Sequence, residues 1–75
     1  MSFANRSLGS ASLAIFDAAG RRVRELLTRA RLPAGPAVFE WDGRDDRGSR
    51  VSGGVYFAKW RDAVGSETQR LVVVR

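Results

Sequence analysis

The chain has 75 residues, a length that suits one small domain covering residues 1–75. It contains no cysteine and no histidine, which excludes disulfide bonds and leaves almost no means of binding zinc. Thirteen basic residues, of which all but Lys59 are arginine, oppose eight acidic residues and give a formal charge of +5. The excess suits an anionic partner such as nucleic acid, lipid headgroups or an acidic polysaccharide, and it equally suits a GC-rich genome.

The N-terminal segment does not have the pattern of a targeting signal. Met1–Ala11 lacks the apolar core that a secretory signal needs, and no apolar run approaches the length of a membrane span. We expect residues 1–11 to form a short arm or a strand that is exchanged with another chain. A weak sixth strand at Ser2–Asn5 is the alternative.

The first clear strand signal is Ser12–Phe16, which alternates so that Leu13 and Ile15 share one face. A turn is predicted at Asp17–Gly20. The aspartate at its start can bind the backbone two residues on, and the glycine at its end adopts a positive φ at little cost.

A second strand is predicted at Arg21–Leu27. Val23, Leu26 and Leu27 also fit helical spacing, but the turn before them favours a hairpin. The segment Leu32–Pro36 reads as an irregular connection because two prolines flank a glycine.

The next strand is predicted at Ala37–Trp41, with Phe39 and Trp41 on the same face. A long loop, Asp42–Gly54, leads to Val55–Trp60. This last segment is apolar on both faces, which is typical of a central strand in a sandwich.

The chain closes with a hairpin connection at Arg61–Glu67 and a strand at Thr68–Val74. Turn signals every 8–12 residues or so predict an all-β sandwich or barrel with no second domain. The predicted core residues are Leu13, Ile15, Val23, Phe39, Trp41, Val55, Phe57, Leu71 and Val73.

Four blocks of the sequence together resemble the FlgD-type immunoglobulin-like domain, and they are similar to C-terminal sorting domains of the type IX (Por) secretion system. The blocks are a hairpin, an Ala-Gly pair, a Trp-Asp-Gly turn and a Gly-Val-Tyr-Phe strand, at Ile15–Val23, Ala34–Gly35, Trp41–Gly48 and Gly53–Phe57. The resemblance covers about residues 12–75. It implies a small immunoglobulin-like β-sandwich and leaves open that the N-terminal strand is missing.

The Asp-rich loop after Trp41 raises the question of a metal site. Asp42 and Asp45 are weak Ca²⁺ candidates, but an EF-hand loop starting at Asp42 would need a glutamate where Gly53 stands. Turn chemistry is the favoured interpretation, and no cofactor is expected. The predicted structural turn residues are Asp17, Gly20, Asp42, Gly43, Asp45, Gly48, Gly53 and Gly54.

We expect no catalysis and no small-molecule substrate. Arginines are interleaved with the aspartates of the loop, so we expect these aspartates to be poor general acids. Binding of nucleic acid would use Tyr56, Phe57 and Trp60 as stacking rings beside Lys59 and Arg61. Burial of these aromatic rings in a sandwich core is favoured, so nucleic acid is an unexpected partner.

An immunoglobulin-like sheet without its N-terminal strand would have an open edge, and open edges recruit other strands. The leading hypothesis is therefore a non-catalytic module that self-associates into an extracellular filament or tube. The candidate assembly residues are Ser2, Phe3, Leu8, Leu71, Val72, Val73 and Val74. The alternatives are a monomer whose edge is covered by residues 1–11, and, from the resemblance, a secretion or sorting module at the cell surface that contacts secretion machinery or an anionic surface.

Overall fold

The computed structural model of the protein describes residues 1–6 and 9–75, and this part of the chain contains strands and no helix. The strands are β1 (Ser2–Asn5), β2 (Gly9–Asp17), β3 (Arg22–Leu32), β4 (Gly35–Val38), β5 (Gly54–Arg61) and β6 (Ser66–Val73). They form a two-stranded sheet, β1-β4, and a four-stranded sheet in the order β3-β2-β5-β6, with all pairs antiparallel. The prediction of a small all-β sandwich is confirmed.

The core lies under the two central strands of the larger sheet, β2 and β5. Leu13 and Ile15 of β2 and Trp60 of β5 are fully buried, because each strand turns alternate side chains to the same face. Most of the other residues predicted for the core are half-buried and pack against this cluster, namely Val23, Phe39, Trp41, Leu71 and Val73.

Strand β5 turns the opposite face inward from the one that the sequence suggested. Tyr56, Ala58 and Trp60 are buried, at 7%, 0% and 0% exposure. Val55 and Phe57, which were predicted as core residues, are half-buried and lie on the outer face of the sheet. The prediction failed here because both alternating sets of this strand are apolar.

The N-terminal strand is present and belongs to the chain's own sandwich. β1 pairs with β4 over four residues. Phe3 is 3% exposed, and its ring stacks on that of Trp60 with centroids 5.4 Å apart and an interplanar angle of 10°. The alternative of a sixth strand at Ser2–Asn5 is therefore confirmed, and the N-terminal strand is not missing. Phe3 packs inside rather than on an assembly surface.

Two strand boundaries differ from the prediction. β3 continues to Leu32 and β4 begins at Gly35, so the irregular connection shrinks to two residues. Pro36 is tolerated in β4 because that strand pairs only with β1 in the part of the chain that is described. Conversely, residues 39–41, which were predicted to continue a strand, lie outside the strands.

A bulge interrupts the pairing of β2 with β3, where Ser12 lies opposite two residues. Arg29 has a φ of 41° there. The backbone N–H of Arg29 donates to the Ser12 hydroxyl at 3.0 Å, so the extra residue still has a hydrogen-bond partner.

Candidate functional site

The Asp-rich loop contains a tight turn that begins at Asp45. One oxygen of its carboxylate accepts the backbone N–H groups of Arg47 and Ser49, at 3.0 and 2.9 Å. The Asp45 N–H donates to the Ser49 carbonyl at 2.8 Å, and the Gly48 N–H donates to the Asp45 carbonyl at 3.0 Å. Gly48 has a φ of 85°, which explains why glycine suits this position.

The turn at Asp17 repeats this pattern. Its carboxylate accepts the N–H groups of Ala19 and Arg21 at 3.0 and 2.9 Å, and its own N–H donates to the Arg21 carbonyl at 2.9 Å. Gly20 also has a φ of 85°. The pKa of Asp17 is lowered, chiefly by the hydrogen bond from the Arg21 N–H. The pattern Asp-x-x-Gly is thus one turn design used at both places.

The other two aspartates of the loop attach it to neighbouring segments. The Asp42 carboxylate accepts the Arg44 N–H at 3.0 Å and a guanidinium N–H of Arg24 at 3.4 Å. The Asp46 N–H donates to the Val23 carbonyl at 3.0 Å, and its carboxylate accepts the Glu25 N–H at 2.9 Å. The loop therefore covers part of the outer edge of β3.

These contacts give the loop carboxylates a role in turn formation. Asp42 and Asp45, the weak Ca²⁺ candidates, each bind N–H groups of the loop itself. Among residues 1–6 and 9–75, no three histidine, cysteine, aspartate or glutamate residues are grouped so that they could hold a metal ion.

The remaining predicted turn glycines lie beside the end of the chain. The Gly43 carbonyl accepts the Val51 N–H and an Arg75 guanidinium N–H, both at 2.9 Å, and Gly43 has a φ of 75°. At Gly53 a side chain would approach the Val73 carbonyl oxygen to 3.3 Å. Gly54 begins β5. Close approach, as well as φ, therefore accounts for glycine in this region.

The residue that sequence reasoning missed is Asp62, which begins a third Asp-x-x-Gly turn at the end of β5. Its side chain is fully buried, at 0% exposure. One carboxylate oxygen accepts the N–H groups of Val64 and Gly65, at 2.9 and 3.1 Å. The other accepts the indole N–H of Trp60 at 3.0 Å. The recurrence of Asp-x-x-Gly could have located this turn, although it could not have shown its burial.

The same carboxylate forms an ion pair with Arg6, which follows β1. The Arg6 Nε and Nη2 atoms lie 3.1 and 2.9 Å from the two carboxylate oxygens, in a bidentate arrangement. This contact holds the pKa of Asp62 far below its ordinary value, and the Trp60 N–H adds to the effect while burial opposes it. Asp62 therefore connects the first strand to the β5–β6 turn across 56 positions of sequence.

The predicted assembly residues are divided between the inside and the outside of the sandwich. Phe3 is buried, and the side chains of Leu71 and Val73 pack against the core. Only Val72 and Val74 present largely exposed apolar side chains, at 62% and 90% exposure. Ser2 is exposed, and its carbonyl accepts the Gln69 side-chain amide at 2.6 Å. Leu8 lies outside the described residues.

The aromatic residues considered for stacking on nucleic acid are mostly unavailable for that role. Trp60 is fully buried, and Tyr56 is 7% exposed and donates its hydroxyl to the Ser52 carbonyl at 2.7 Å. Phe57 remains on the outer face, beside the exposed Lys59 and Arg61. One half-buried ring and two cations do not make a stacking platform.

The sequence matches a known family over most of its length. The model described as "FlgD Ig-like domain" matches residues 2–61. The chain belongs to the FlgD Ig-like domain family. The match includes β1, which agrees with the N-terminal strand found in this FlgD Ig-like domain.

A solved structure shares the fold of this FlgD Ig-like domain. It is that of PorZ, described as an essential bacterial surface component of the type-IX secretion system of Porphyromonas gingivalis. The two are 28% identical with a TM-score of 0.63, and the alignment covers 89% of this chain but 8% of the PorZ chain. No curated protein matches the sequence. Within the described residues, no helix has the length and apolar character to cross a membrane.

Proposed function

We propose that this FlgD Ig-like domain is a non-catalytic structural module of an exported bacterial protein, and that it acts in secretion or in attachment to the cell surface. The observation that carries the proposal is the family match over residues 2–61 together with the likeness to part of PorZ, a surface component of a secretion system. The likeness to part of PorZ, a surface component, supports a role at the cell surface.

The internal chemistry supports a structural role. The carboxylates of Asp17, Asp45 and Asp62 accept backbone N–H groups of the turns that they begin. The Asp62 carboxylate also accepts N–H groups from the side chains of Arg6 and Trp60. Groups committed in this way stabilise a fold and are poorly placed to transfer protons to a substrate.

The proposal is tested by export. Residues 1–75 are fused to the C-terminus of a reporter that is otherwise retained, in a host with a type IX system. We expect the reporter at the cell surface or in the medium, and its loss when the secretion machinery is deleted. The matched control is the same fusion with Asp62→Ala, which removes the central contact of the fold. Retention of the wild-type fusion inside the cell contradicts the proposal.

A second candidate function is self-association through the edge of β6. Its support is the apolar run Leu71–Val74 at this edge, where Val72 and Val74 are the exposed members. Insertion of residues 1–11 into another chain has less support, because Ser2–Asn5 already pairs with β4.

Light scattering over a wide concentration range tests self-association. We expect oligomers that dissociate when Val72 and Val74 are both replaced by lysine. Val38→Lys is the matched control, because Val38 is also exposed, at 74%, but lies in the smaller sheet. A strictly monomeric wild-type protein at high concentration contradicts this second candidate.

A further inference from the structure

The outer face of the four-stranded sheet carries a row of side chains that point away from the buried core. Phe16 and Phe57 lie directly opposite each other on β2 and β5. Their neighbours Ile15 and Ala58 are fully buried, so the two phenylalanines point to the outer face. A cation lies at each end of the row, on β3 and on β6. From β3 to β6 the row consists of Arg22, Phe16, Phe57 and Arg70.

The rows on both sides extend this surface. On one side Val55 lies opposite the exposed Val72. On the other side Lys59 lies opposite Thr68, and Arg61 follows two residues later on β5. We call these residues the outer sheet surface, namely Val55, Phe57, Lys59 and Arg61 of β5 with Thr68, Arg70 and Val72 of β6. It combines apolar side chains with cations.

Three cations of the outer sheet surface form no ion pair within residues 1–6 and 9–75. Arg22, at its border, pairs with Glu25 at 2.9 Å. For Lys59, Arg61 and Arg70, no carboxylate of the described residues lies within 4.0 Å. Two copies stacked through this face would repel each other by like charge, whereas an acidic partner would be attracted.

The two edges of the sheet differ in a way that indicates the form of the partner. The loop aspartates cover part of the β3 edge, through the hydrogen bonds of Asp46 with Val23 and Glu25. In the described chain β6 pairs with β5 alone, so its outer edge offers backbone N–H and carbonyl groups. An extended peptide can pair with such an edge, whereas a nucleic acid cannot use its backbone groups as a strand does.

We propose that the outer sheet surface binds an acidic, extended segment of a partner protein, which adds to the sheet beside β6. Alternate residues of a strand lie about 6.8 Å apart. Arg70 would meet the segment directly from β6. Lys59 and Arg61 lie one strand farther away on β5, about 10 Å from the segment, and their long side chains would reach across β6 toward carboxylates at alternate positions, which have the same repeat. Phe57 and Val72 provide apolar contact between the charges. The inference does not depend on the proposed export role, because binding is measured on the purified 75-residue chain.

The probe is an eight-residue peptide of alternating glutamate and threonine with blocked ends. Its counterpart has lysine in place of each glutamate. Binding is followed by NMR on the labelled protein. We expect the glutamate peptide to bind, with amide shift changes concentrated in Ser66–Val73, and the lysine peptide not to bind.

Charge-reversal variants then locate the site. Lys59→Glu and Arg70→Glu should each raise the Kd by about fivefold, the size of one exposed ion pair. Arg50→Glu is the matched control, since it makes the same change of net charge in the loop before β5, and it should leave the Kd unchanged. Unaltered amide spectra outside the substituted positions verify that the variants fold.

Several results would overturn the proposal. Equal weakening by Arg50→Glu would show that net charge alone attracts the peptide. Amide shift changes away from β6, or equal binding of both peptides, would show that the outer sheet surface does not bind an acidic segment. Tighter binding of a single-stranded oligonucleotide to the same residues would assign the surface to nucleic acid instead.

Discussion

The turns at Asp17 and Asp62 have the same sequence pattern and different positions in the fold. Each aspartate accepts two backbone N–H groups of its own turn. The Asp17 side chain is 20% exposed and pairs with Arg21, which is 84% exposed. The Asp62 side chain is fully buried and pairs with Arg6, far away in sequence. The turns also close differently, since the Asp17 N–H donates to the Arg21 carbonyl and the Asp62 N–H donates to the Gly65 carbonyl. One sequence pattern can thus give a surface turn or the point where distant strands meet.

The largest difference between the two turns is expected when the carboxylate of each aspartate is removed. Asp62→Ala should lower the melting temperature several times more than Asp17→Ala. The reason is that it leaves the Trp60 indole N–H, two turn N–H groups and the Arg6 guanidinium without their shared acceptor. At Asp17 water can replace the carboxylate. Thermal unfolding followed by circular dichroism measures both variants, and equal losses would show that Asp62 is only a turn residue.

Acid should weaken the Asp62 contact in a defined pH range. The pKa of Asp62 in the folded state lies below its ordinary value of 3.8, so its stabilising contribution is complete above that value. It is lost as the pH falls from there toward the folded-state pKa. Urea unfolding at several pH values should show that the stability gap between wild type and Asp62→Asn narrows below about pH 4. A gap that is constant from pH 6 to 2 would contradict this assignment.

The glycines of the two matching surface turns should respond alike. Gly20 and Gly48 share a φ of 85°, and a methyl group at either would meet no atom within 4 Å. Gly20→Ala and Gly48→Ala should therefore each cost about 1–2 kcal/mol of unfolding free energy from backbone strain alone. Ala18→Ser, at an exposed position of the same turn, is the control. A large difference between the two glycine variants in urea unfolding would show that the turns are not equivalent.

The smallest effect is expected at the exposed ion pair. Arg21→Ala removes the partner of Asp17 but keeps the two backbone N–H bonds, so the melting temperature should change within the error of the measurement. Arg6→Ala is the comparison, because it leaves the buried carboxylate of Asp62 without its charged partner. A clear fall for Arg21→Ala would mean that this surface pair contributes more than its exposure suggests.

Much of the fold could be predicted from sequence because alternation and turn residues act locally. The alternation of Leu13 and Ile15 predicted which face of β2 is buried. Asp17 predicted the turn that follows this strand. In β5 both alternating sets are apolar as far as Ala58. Only Lys59 and Arg61, at the end of the strand, could have indicated the outer set, which also contains Val55 and Phe57.

The site was less predictable because its contacts are distant. Nothing near Asp62 in sequence shows that Arg6 will reach it, and nothing near Phe3 shows that Trp60 will lie beneath its ring. The exposed cations on the outer face could be assigned only after the register of β5 with β6 was known. Long-range pairing therefore accounts for the part that local patterns could not give.

The bridge between Arg6 and Asp62 also constrains the order in which the chain can fold. During synthesis β1 emerges first, yet its closing contact lies 56 residues later. Closing so long a loop costs entropy before any contact repays it, and small all-β domains with distant pairings accordingly fold in milliseconds to seconds. β1 can pair with β4 before that point, but the contact between Arg6 and Asp62 must wait until the β5–β6 hairpin has been made.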